Sequence, residues 1–221
     1  MFYIIATPIG NLKDISLRAL DILKSVDMIL CEDTRVTKKL LSRYEIKKPC
    51  LSYHQHSNLV KINSIVDLLK QGKEIALVSD AGTPGVSDPG NELIAVIKKE
   101  IPALEIIPIP GPSALITAAS IAGFPMNNFL FLGFPPKKNK RKRFFKKIDE
   151  SKYSVIIFES THRIKKTLED LKLAINNRDI VVCRELTKKF EKIYRGTADS
   201  ILKELDDKKP KGEFVIIISK K

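Results

Sequence analysis

The chain alternates short apolar runs with longer amphipathic segments, and this alternation restricts its fold more than any other feature. Runs such as "FYIIA", "DMILC" and "EIALV" have the length of buried strands, whereas "SLRALDILKS" and "NELIAVIKKE" repeat apolar residues at helical spacing. Strands that alternate with helices usually form parallel sheets, because each crossover helix returns the chain to the same end of the sheet. The first half is therefore predicted to be an α/β domain with a mostly parallel sheet.

The second half contains more strand-like runs and fewer helical ones. After the small-residue helix "ALITAASIAG" come "FLFLGF", "SVIIFES", "IVVCREL", "KIYRGT" and "EFVIIIS", with the helical segment "RIKKTLEDLKLAI" between two of them. This pattern predicts a second α/β domain with a mixed sheet. Proline and glycine concentrate at residues 108–112, so the predicted domains are residues 1–110 and residues 111–221.

Composition and residue spacing exclude several classes of protein. With 43% hydrophobic and 29% charged residues the chain can form a sizeable core. None of its apolar runs approaches the roughly 18 residues of a membrane helix, and the N-terminus lacks the basic start of a signal peptide, so a cytoplasmic protein without a membrane association is predicted. Cys31, Cys50 and Cys183 are far apart, and His54 and His56 have no carboxylate or thiol partner at ligand spacing. Neither a redox function nor a metal site is predicted.

Most of the formal charge of +13 lies in one place, "KKNKRKRFFKK", residues 137–147, called here the basic segment. Eight of its eleven residues are basic, whereas the rest of the chain carries 31 basic and 26 acidic side chains. Such a cluster can neutralise the phosphates of a polyanion. The alternative is a solvated lysine-rich loop. Phe144 and Phe145 within it either stack on bases or anchor a short amphipathic helix to the core.

Three loops rich in glycine, proline and small residues follow predicted strands. They are "ATPIGN" (the first loop, residues 6–11), "SDAGTPGVSDPG" (the long loop, residues 79–90) and "PIPGPSA" (the junction loop, residues 108–114). The G-x-G-x-x-G and P-loop signatures are missing. Glycines either supply positive φ to turns or let backbone N–H groups approach a ligand. Because all three loops follow strands of one α/β pattern, we expect them to converge on a cleft.

Seven motifs occur along the chain in the order "ATPIGNLKDISLRAL", "CEDTR", "SDAGTPGVSDPG", "PIPGPSA", "FLGFPP", "FESTHRI" and "CRELTKKFEKIYRGT". Together they resemble the ribosomal RNA small subunit methyltransferase I family, within the tetrapyrrole methylase superfamily of S-adenosylmethionine-dependent enzymes. The resemblance implies methylation of the ribose 2′-hydroxyl of a cytidine in the decoding region of 16S rRNA. It also implies two α/β domains with the cofactor in the cleft between them, and a homodimer. Family members often continue with a further helical segment, whereas this sequence ends at Lys221.

The superfamily's cofactor site transfers onto this sequence motif by motif. The resemblance implies that cofactor contacts come from the first loop, the long loop, the residues after "PGP" and two strand ends of the second domain. The residues are Pro8, Ile9, Asp80, Ala81, Gly82, Thr83, Val86, Ser113, Ala114, Glu159 and Leu186. Small residues suit this task, because the main chain reaches a ligand only where side chains are short.

A ribose hydroxyl is a weak nucleophile while protonated, so a general base would assist the transfer. The candidates for a catalytic role are Glu159, His162 and Asp88, with Asp80 also near the loops. His162 can equally start a helix and bind phosphate with Arg163, and Glu32 and Asp33 of "CEDTR" can simply pair with Arg35. The residues predicted to bind rRNA phosphates are Lys137, Lys138, Lys140, Arg141, Lys142, Arg143 and Arg163.

Two other functions fit parts of the sequence. One is methylation of a tetrapyrrole such as a precorrin or uroporphyrinogen, or of a diphthine-type substrate, by another enzyme of the superfamily. The other is a non-catalytic RNA-binding ribosome assembly factor that keeps the fold. The basic segment and "CEDTR" disfavour the first alternative, and the intact cofactor loops disfavour the second.

Overall fold

A computed structural model of the chain describes residues 1–54, 57, 59–175, 177–205 and 211–221. By its internal contacts the chain divides into two compact units, Met1–Ser113 and Ala114–Lys221. The predicted boundary between residues 110 and 111 lies close to this division.

The N-terminal unit is a parallel five-stranded sheet with helices on both faces. Its strands are β1 (Phe2–Ile5), β2 (Met28–Cys31), β3 (Cys50–Ser52), β4 (Ile75–Val78) and β5 (Ile106–Ile109), and its helices are α1 (Leu17–Ser25), α2 (Thr34–Arg43), α3 (Leu59–Lys70) and α4 (Asn91–Glu100). The strand order is β3-β2-β4-β1-β5, and every pair is parallel. The predicted parallel sheet is confirmed.

The direction of the crossovers explains the two faces. The connections through α1 and α2 lead towards the β3 edge, whereas those through α3 and α4 lead back towards β5. Right-handed crossovers in opposite directions place their helices on opposite faces of the sheet. Alternate strand residues accordingly enter separate apolar clusters: Ile5 packs with α1 and α2, while Phe2 packs with α3 and α4. The order reverses at β4 and β1, and such a switch point opens a crevice at the carboxyl ends of the strands.

The C-terminal unit contains a mixed five-stranded sheet. Its strands are β6 (Phe129–Phe131), β7 (Ser154–Ser160), β8 (Ile180–Arg184), β9 (Lys192–Gly196) and β10 (Glu213–Ile218), and its helices are α5 (Ala114–Ser120), α6 (Arg141–Asp149), α7 (Ile164–Ala174) and α8 (Ala198–Glu204). The strand order is β6-β7-β10-β8-β9, with β6 and β7 parallel and the other pairs antiparallel. The predicted mixed sheet is confirmed, and its core includes Ile157, Ile216 and Val182.

Most of the basic segment is helical, because α6 begins at Arg141 and ends at Asp149. Phe145 is buried, and Phe144 packs against the same core. Of the two alternatives for these rings, the structure supports anchoring of an amphipathic helix. None of the helices in the described part of the chain combines the length and apolar character that a membrane crossing requires.

Candidate functional site

Three loops meet at the carboxyl end of the parallel sheet, where β4, β1 and β5 lie side by side. The backbone N–H of Thr7 in the first loop donates to the Gly82 carbonyl at 2.9 Å, and the N–H of Gly82 donates back to Thr7 at 3.0 Å. The Thr83 hydroxyl donates to the carbonyl of Pro112 in the junction loop at 3.3 Å. The predicted convergence of the loops is therefore confirmed within the N-terminal unit.

Gly82 leaves space where the loops come together. Its φ of +85° is one that side-chain-bearing residues rarely adopt, and an added Cβ would lie 3.5 Å from Cγ2 of Ile9 and 3.9 Å from the Pro112 carbonyl oxygen. A side chain at this position would fill the gap between the first loop and the junction loop. A ligand that contacts the main chain requires this kind of open backbone.

The proposed cofactor residues differ in exposure. Pro8, Ile9 and Gly82 are buried, Ala81 and Val86 are exposed, and Asp80, Thr83, Ser113 and Ala114 are intermediate. The N-terminal unit brings Ile9, Gly82, Thr83 and the junction loop together. Leu186 belongs to the C-terminal unit, where its side chain is buried after β8.

An open pocket of about 450 Å³ lies beside the long loop, at the carboxyl ends of β2, β3 and β4. Its lining residues are Glu32, Asp33, Thr34, Arg35, Ser52, His54 and Asp80. Asp33 caps α2 by accepting from the Arg35 N–H at 2.8 Å, and its own N–H donates to Oδ1 of Asp80 at 2.9 Å. Sequence reasoning missed Ser52 and His54 as lining residues. Ser52 ends β3 and His54 follows it, and residues at the carboxyl end of a strand in a parallel sheet are the signal that indicates this edge.

The carboxyl groups in and near this pocket differ in pKa. The Arg35 guanidinium, 2.6 Å from Asp33, lowers the pKa of Asp33 to about 2. Burial raises the pKa of Glu32, with a further contribution from Asp80. Burial and the charge of Glu32 raise the pKa of Asp88 to about 6. Asp33 thus pairs with Arg35 as the structural alternative predicts, whereas Asp88 is a carboxylate that takes up a proton near neutral pH.

Protein groups of the C-terminal unit surround the Glu159 carboxylate. It is 1% exposed and lies near the end of β7. Its oxygens accept from the Ser160 N–H at 2.7 Å and the Thr167 hydroxyl at 2.6 Å, and Arg163 lies 2.9 Å away. These contacts give Glu159 a structural role, and its catalytic and cofactor-binding roles stay predictions.

Arg141 and Arg163, two of the predicted phosphate ligands, have partners within the protein. Arg141 is buried, forms an ion pair with Asp170 at 2.7 Å and donates to the Thr167 hydroxyl at 2.8 Å. Arg163 forms an ion pair with Glu159 and donates to the Pro135 carbonyl at 2.8 Å. Both guanidinium groups are occupied by protein partners, so they hold the chain in place.

The other predicted RNA contacts are available at the surface. Lys137, Lys138, Lys140, Lys142 and Arg143 are exposed, and none of them forms an ion pair with a carboxylate of the described residues. His162 is exposed in the turn between β7 and α7. Both observations leave these side chains accessible to a polyanion.

Metal binding and thiol chemistry receive no support from the described residues. No group of three or more histidine, cysteine, aspartate or glutamate side chains in that part of the chain has the arrangement of a metal site. His54 lines the pocket, and His56 lies outside the described residues. Burial raises the pKa of Cys31 to about 11 and that of Cys183 to about 12, so both thiols stay protonated at neutral pH.

Residues 1–202 match the family model of tetrapyrrole (corrin/porphyrin) methylases. Solved structures have the same fold. A cobalt precorrin-4 methyltransferase of cobalamin biosynthesis superposes with a TM-score of 0.70 at 21% identity, covering 99% of this chain and 94% of its own. The uroporphyrin-III-C-methyltransferase of Thermus thermophilus gives a TM-score of 0.66 at 15% identity, covering 98% of this chain and 93% of its own. The chain therefore belongs to the tetrapyrrole methylase family and is a methyltransferase.

Similar sequences define the group within that family. A protein of Thermotoga maritima named ribosomal RNA small subunit methyltransferase I is 42% identical over 99% of this chain and 97% of its own length. A protein of the same name from Mycoplasmopsis pulmonis is 48% identical over 97% of this chain and 96% of its own. The chain belongs to the ribosomal RNA small subunit methyltransferase I family.

Proposed function

We propose that the chain transfers a methyl group from S-adenosylmethionine to the ribose 2′-hydroxyl of a cytidine in the decoding region of 16S rRNA. The main support for this proposal is sequence identity of 42% and 48%, over nearly the whole chain, with relatives named for small-subunit ribosomal RNA. The structures named for tetrapyrrole substrates share the fold at much lower identity. The basic segment supports a polyanionic substrate as well.

The converging loops support S-adenosylmethionine as the methyl donor. The first loop, the long loop and the junction loop bring main chain and short side chains together, and Gly82 keeps the space between them open. We assign cofactor contacts to Pro8, Ile9, Asp80, Ala81, Gly82, Thr83, Val86, Ser113 and Ala114, with Leu186 from the C-terminal unit. When bound, S-adenosylmethionine supplies a methyl group on a cationic sulfonium for in-line attack by an oxygen.

Asp88 is the best-supported general base among the predicted candidates. Its carboxyl group feels the charges of Glu32 and Asp80, which line the pocket, and its pKa of about 6 combines ionisation at neutral pH with higher basicity than an ordinary aspartate. Asp88 would accept the proton of the ribose hydroxyl. The exposed His162 is the second candidate.

Exposed cations of the basic segment are the proposed contacts to rRNA phosphates. These are Lys137, Lys138, Lys140, Lys142 and Arg143. Homodimerisation is a prediction from the resemblance, and sedimentation of the purified chain tests it. The cytoplasmic location is a prediction from the apolar run lengths and the N-terminal residues of the sequence.

The decisive experiment is incubation of the chain with labelled S-adenosylmethionine and small ribosomal subunits, followed by mapping of the modified nucleotide. Label on the 2′-oxygen of a decoding-region cytidine is the expected result. Label in a porphyrin substrate and not in RNA would replace the proposal with a tetrapyrrole methylase. Binding of rRNA without uptake of label or of S-adenosylmethionine would indicate an assembly factor.

A further inference from the structure

Phe134 is a large apolar side chain that the C-terminal unit holds at its surface. It is 51% exposed and precedes the basic segment by two prolines. Its ring meets the Phe158 ring edge to face at 5.7 Å between centroids, and the Arg163 guanidinium lies 5.9 Å from its centroid. Phe158 in turn contacts Phe131 at 4.9 Å. Contacts on one side therefore restrict the ring while much of it stays open to solvent.

The backbone around this ring is fixed by arginines that the sequence predicts to bind phosphate. Arg163 donates to the Pro135 carbonyl at 2.8 Å, and Arg141 donates to the Pro136 carbonyl at 3.0 Å. Each arginine is itself anchored by a carboxylate, Arg163 by Glu159 and Arg141 by Asp170. A rigid exposed aromatic ring loses little conformational entropy when a partner covers it.

The surroundings of Phe134 are cationic. Lys137 follows three residues later, so its Cα lies within about 11 Å of the Cα of Phe134 whatever the path of the chain. Lys137, Lys138 and Lys140 are exposed and form no ion pair with a carboxylate of the described residues. An aromatic ring beside free cations matches the structure of single-stranded nucleic acid, in which bases stack on rings while phosphates meet lysines.

We propose that Phe134 is a stacking platform for an unpaired base of the RNA substrate, with the neighbouring lysines of the basic segment holding the adjacent phosphates. This inference rests on the proposed function and adds that the RNA is single-stranded where it meets this surface. Bases within an A-form helix are already stacked and cannot cover the ring. A second copy of the chain is a poorer occupant, because a self-complementary contact here would bring two basic segments together.

The first test compares Phe134→Leu with Phe190→Leu. Phe190 is the matched control, since it is 70% exposed and has Lys189 Nζ 5.6 Å from its ring centroid, but it lies outside the basic segment. We expect Phe134→Leu to weaken binding of a single-stranded RNA of about 12 nucleotides by about 5- to 100-fold without changing the salt dependence, and Phe134→Tyr to retain most of the affinity. Phe190→Leu should bind as the unmodified chain does.

The second test uses the absence of tryptophan from the sequence. Phe134→Trp and Phe190→Trp each introduce a single indole, whose fluorescence is quenched when a base stacks on it. We expect single-stranded RNA to quench the Phe134→Trp fluorescence in a saturable way, and the same sequence in a duplex to quench it less. We expect no quenching in the Phe190→Trp protein. This variant keeps an aromatic ring in place, so the test does not depend on the folding of Phe134→Leu.

The outcomes separate this inference from the proposed function. If the unmodified chain methylates small subunits while Phe134→Leu binds RNA equally well and the indole is not quenched, the stacking platform is wrong and the proposed function stands. Indole fluorescence that depends on protein concentration but not on RNA would assign the ring to a contact between copies. If the unmodified chain neither binds nor methylates rRNA, the proposed function fails together with the platform.

Discussion

Asp88 is the residue whose acidity most directly predicts a pH dependence. Its pKa of about 6 results from burial and the charge of Glu32. A general base acts in its deprotonated form, so the methyl-transfer rate of the unmodified chain should rise as the pH increases through about 6 and level off above it. Asp88→Asn should lower kcat by about 100- to 10,000-fold and abolish this rise. Single-turnover assays at saturating cofactor measure both.

Stability provides the control for Asp88→Asn. Because the folded pKa of about 6 exceeds the ordinary value of 3.8, the folded state binds more protons between these values, and Asp88 makes the chain less stable as the pH rises through this window. Asp88→Asn should therefore be at least as stable as the unmodified chain at pH 7. Asp21→Asn, on the exposed face of α1, should change neither rate nor stability. An Asp88→Asn protein with a normal rate and pH profile would move the base to another residue.

Glu159 tests whether a buried carboxylate is structural. Glu159→Gln removes the charge that faces Arg163, so we expect the free energy of unfolding to fall by about 3 kcal/mol. Urea denaturation at pH 7 measures this change. Glu169→Gln, exposed on the same helix α7, should stay within about 0.5 kcal/mol of the unmodified chain. Normal stability combined with lost methyl transfer would return Glu159 to the active site.

At the scale of elements, hydrophobic periodicity predicts those strands and helices whose residues are buried in a regular pattern. The central strands are continuous apolar runs because both faces of their sheets are covered, and the sequence shows this directly. Helix α8 is absent from the sequence-based expectations. Its apolar residues Ala198, Ile201 and Leu202, with Leu205 at the C-cap, do repeat at helical spacing, but seven residues are too short a window for periodicity alone to identify a helix. A Thr197 cap starts this helix. Short helices that depend on capping and tertiary packing escape a search for periodicity.

The loops of the candidate site can be predicted from the sequence, whereas side-chain pairs between residues that are distant in the sequence cannot. The three loops were found because glycine and proline mark them in the sequence. The partners of Arg141 were not found, because Thr167 and Asp170 lie more than 25 residues away on α7. A charge pattern indicates that a cation exists, but only the fold determines whether a carboxylate neutralises it.

The loop elements yield a prediction about cofactor binding. Gly82 and Gly72 have nearly equal φ values, +85° and +82°, so alanine strains both backbones similarly. A Cβ at Gly72 meets no atom within 4 Å, whereas a Cβ at Gly82 lies against Ile9. S-adenosylmethionine should raise the Tm of the unmodified chain and of Gly72→Ala, but not of Gly82→Ala. An equal ligand-induced shift in both variants would place the cofactor away from these loops.

For the whole molecule, the distribution of charge has more influence on RNA binding than its total. The basic segment contains eight of the 39 lysines and arginines, and Arg141 is neutralised within the fold. Replacing Lys137, Lys138, Lys140 and Lys142 with glutamine should weaken rRNA binding and reduce the slope of log affinity against log salt by about 3, since each phosphate contact to a single strand contributes about 0.7.

A variant with the same net charge separates location from total charge. Replacing the exposed lysines Lys13, Lys24, Lys39 and Lys99 with glutamine removes four positive charges from the N-terminal unit. Because these four lysines are spread over separate elements and not clustered within one segment, fewer of them can reach the phosphates of one strand, so this variant should lose less affinity and less of its salt slope. Equal losses in both variants would mean that rRNA responds to the overall field of the protein, and the basic segment would then be an ordinary charged surface.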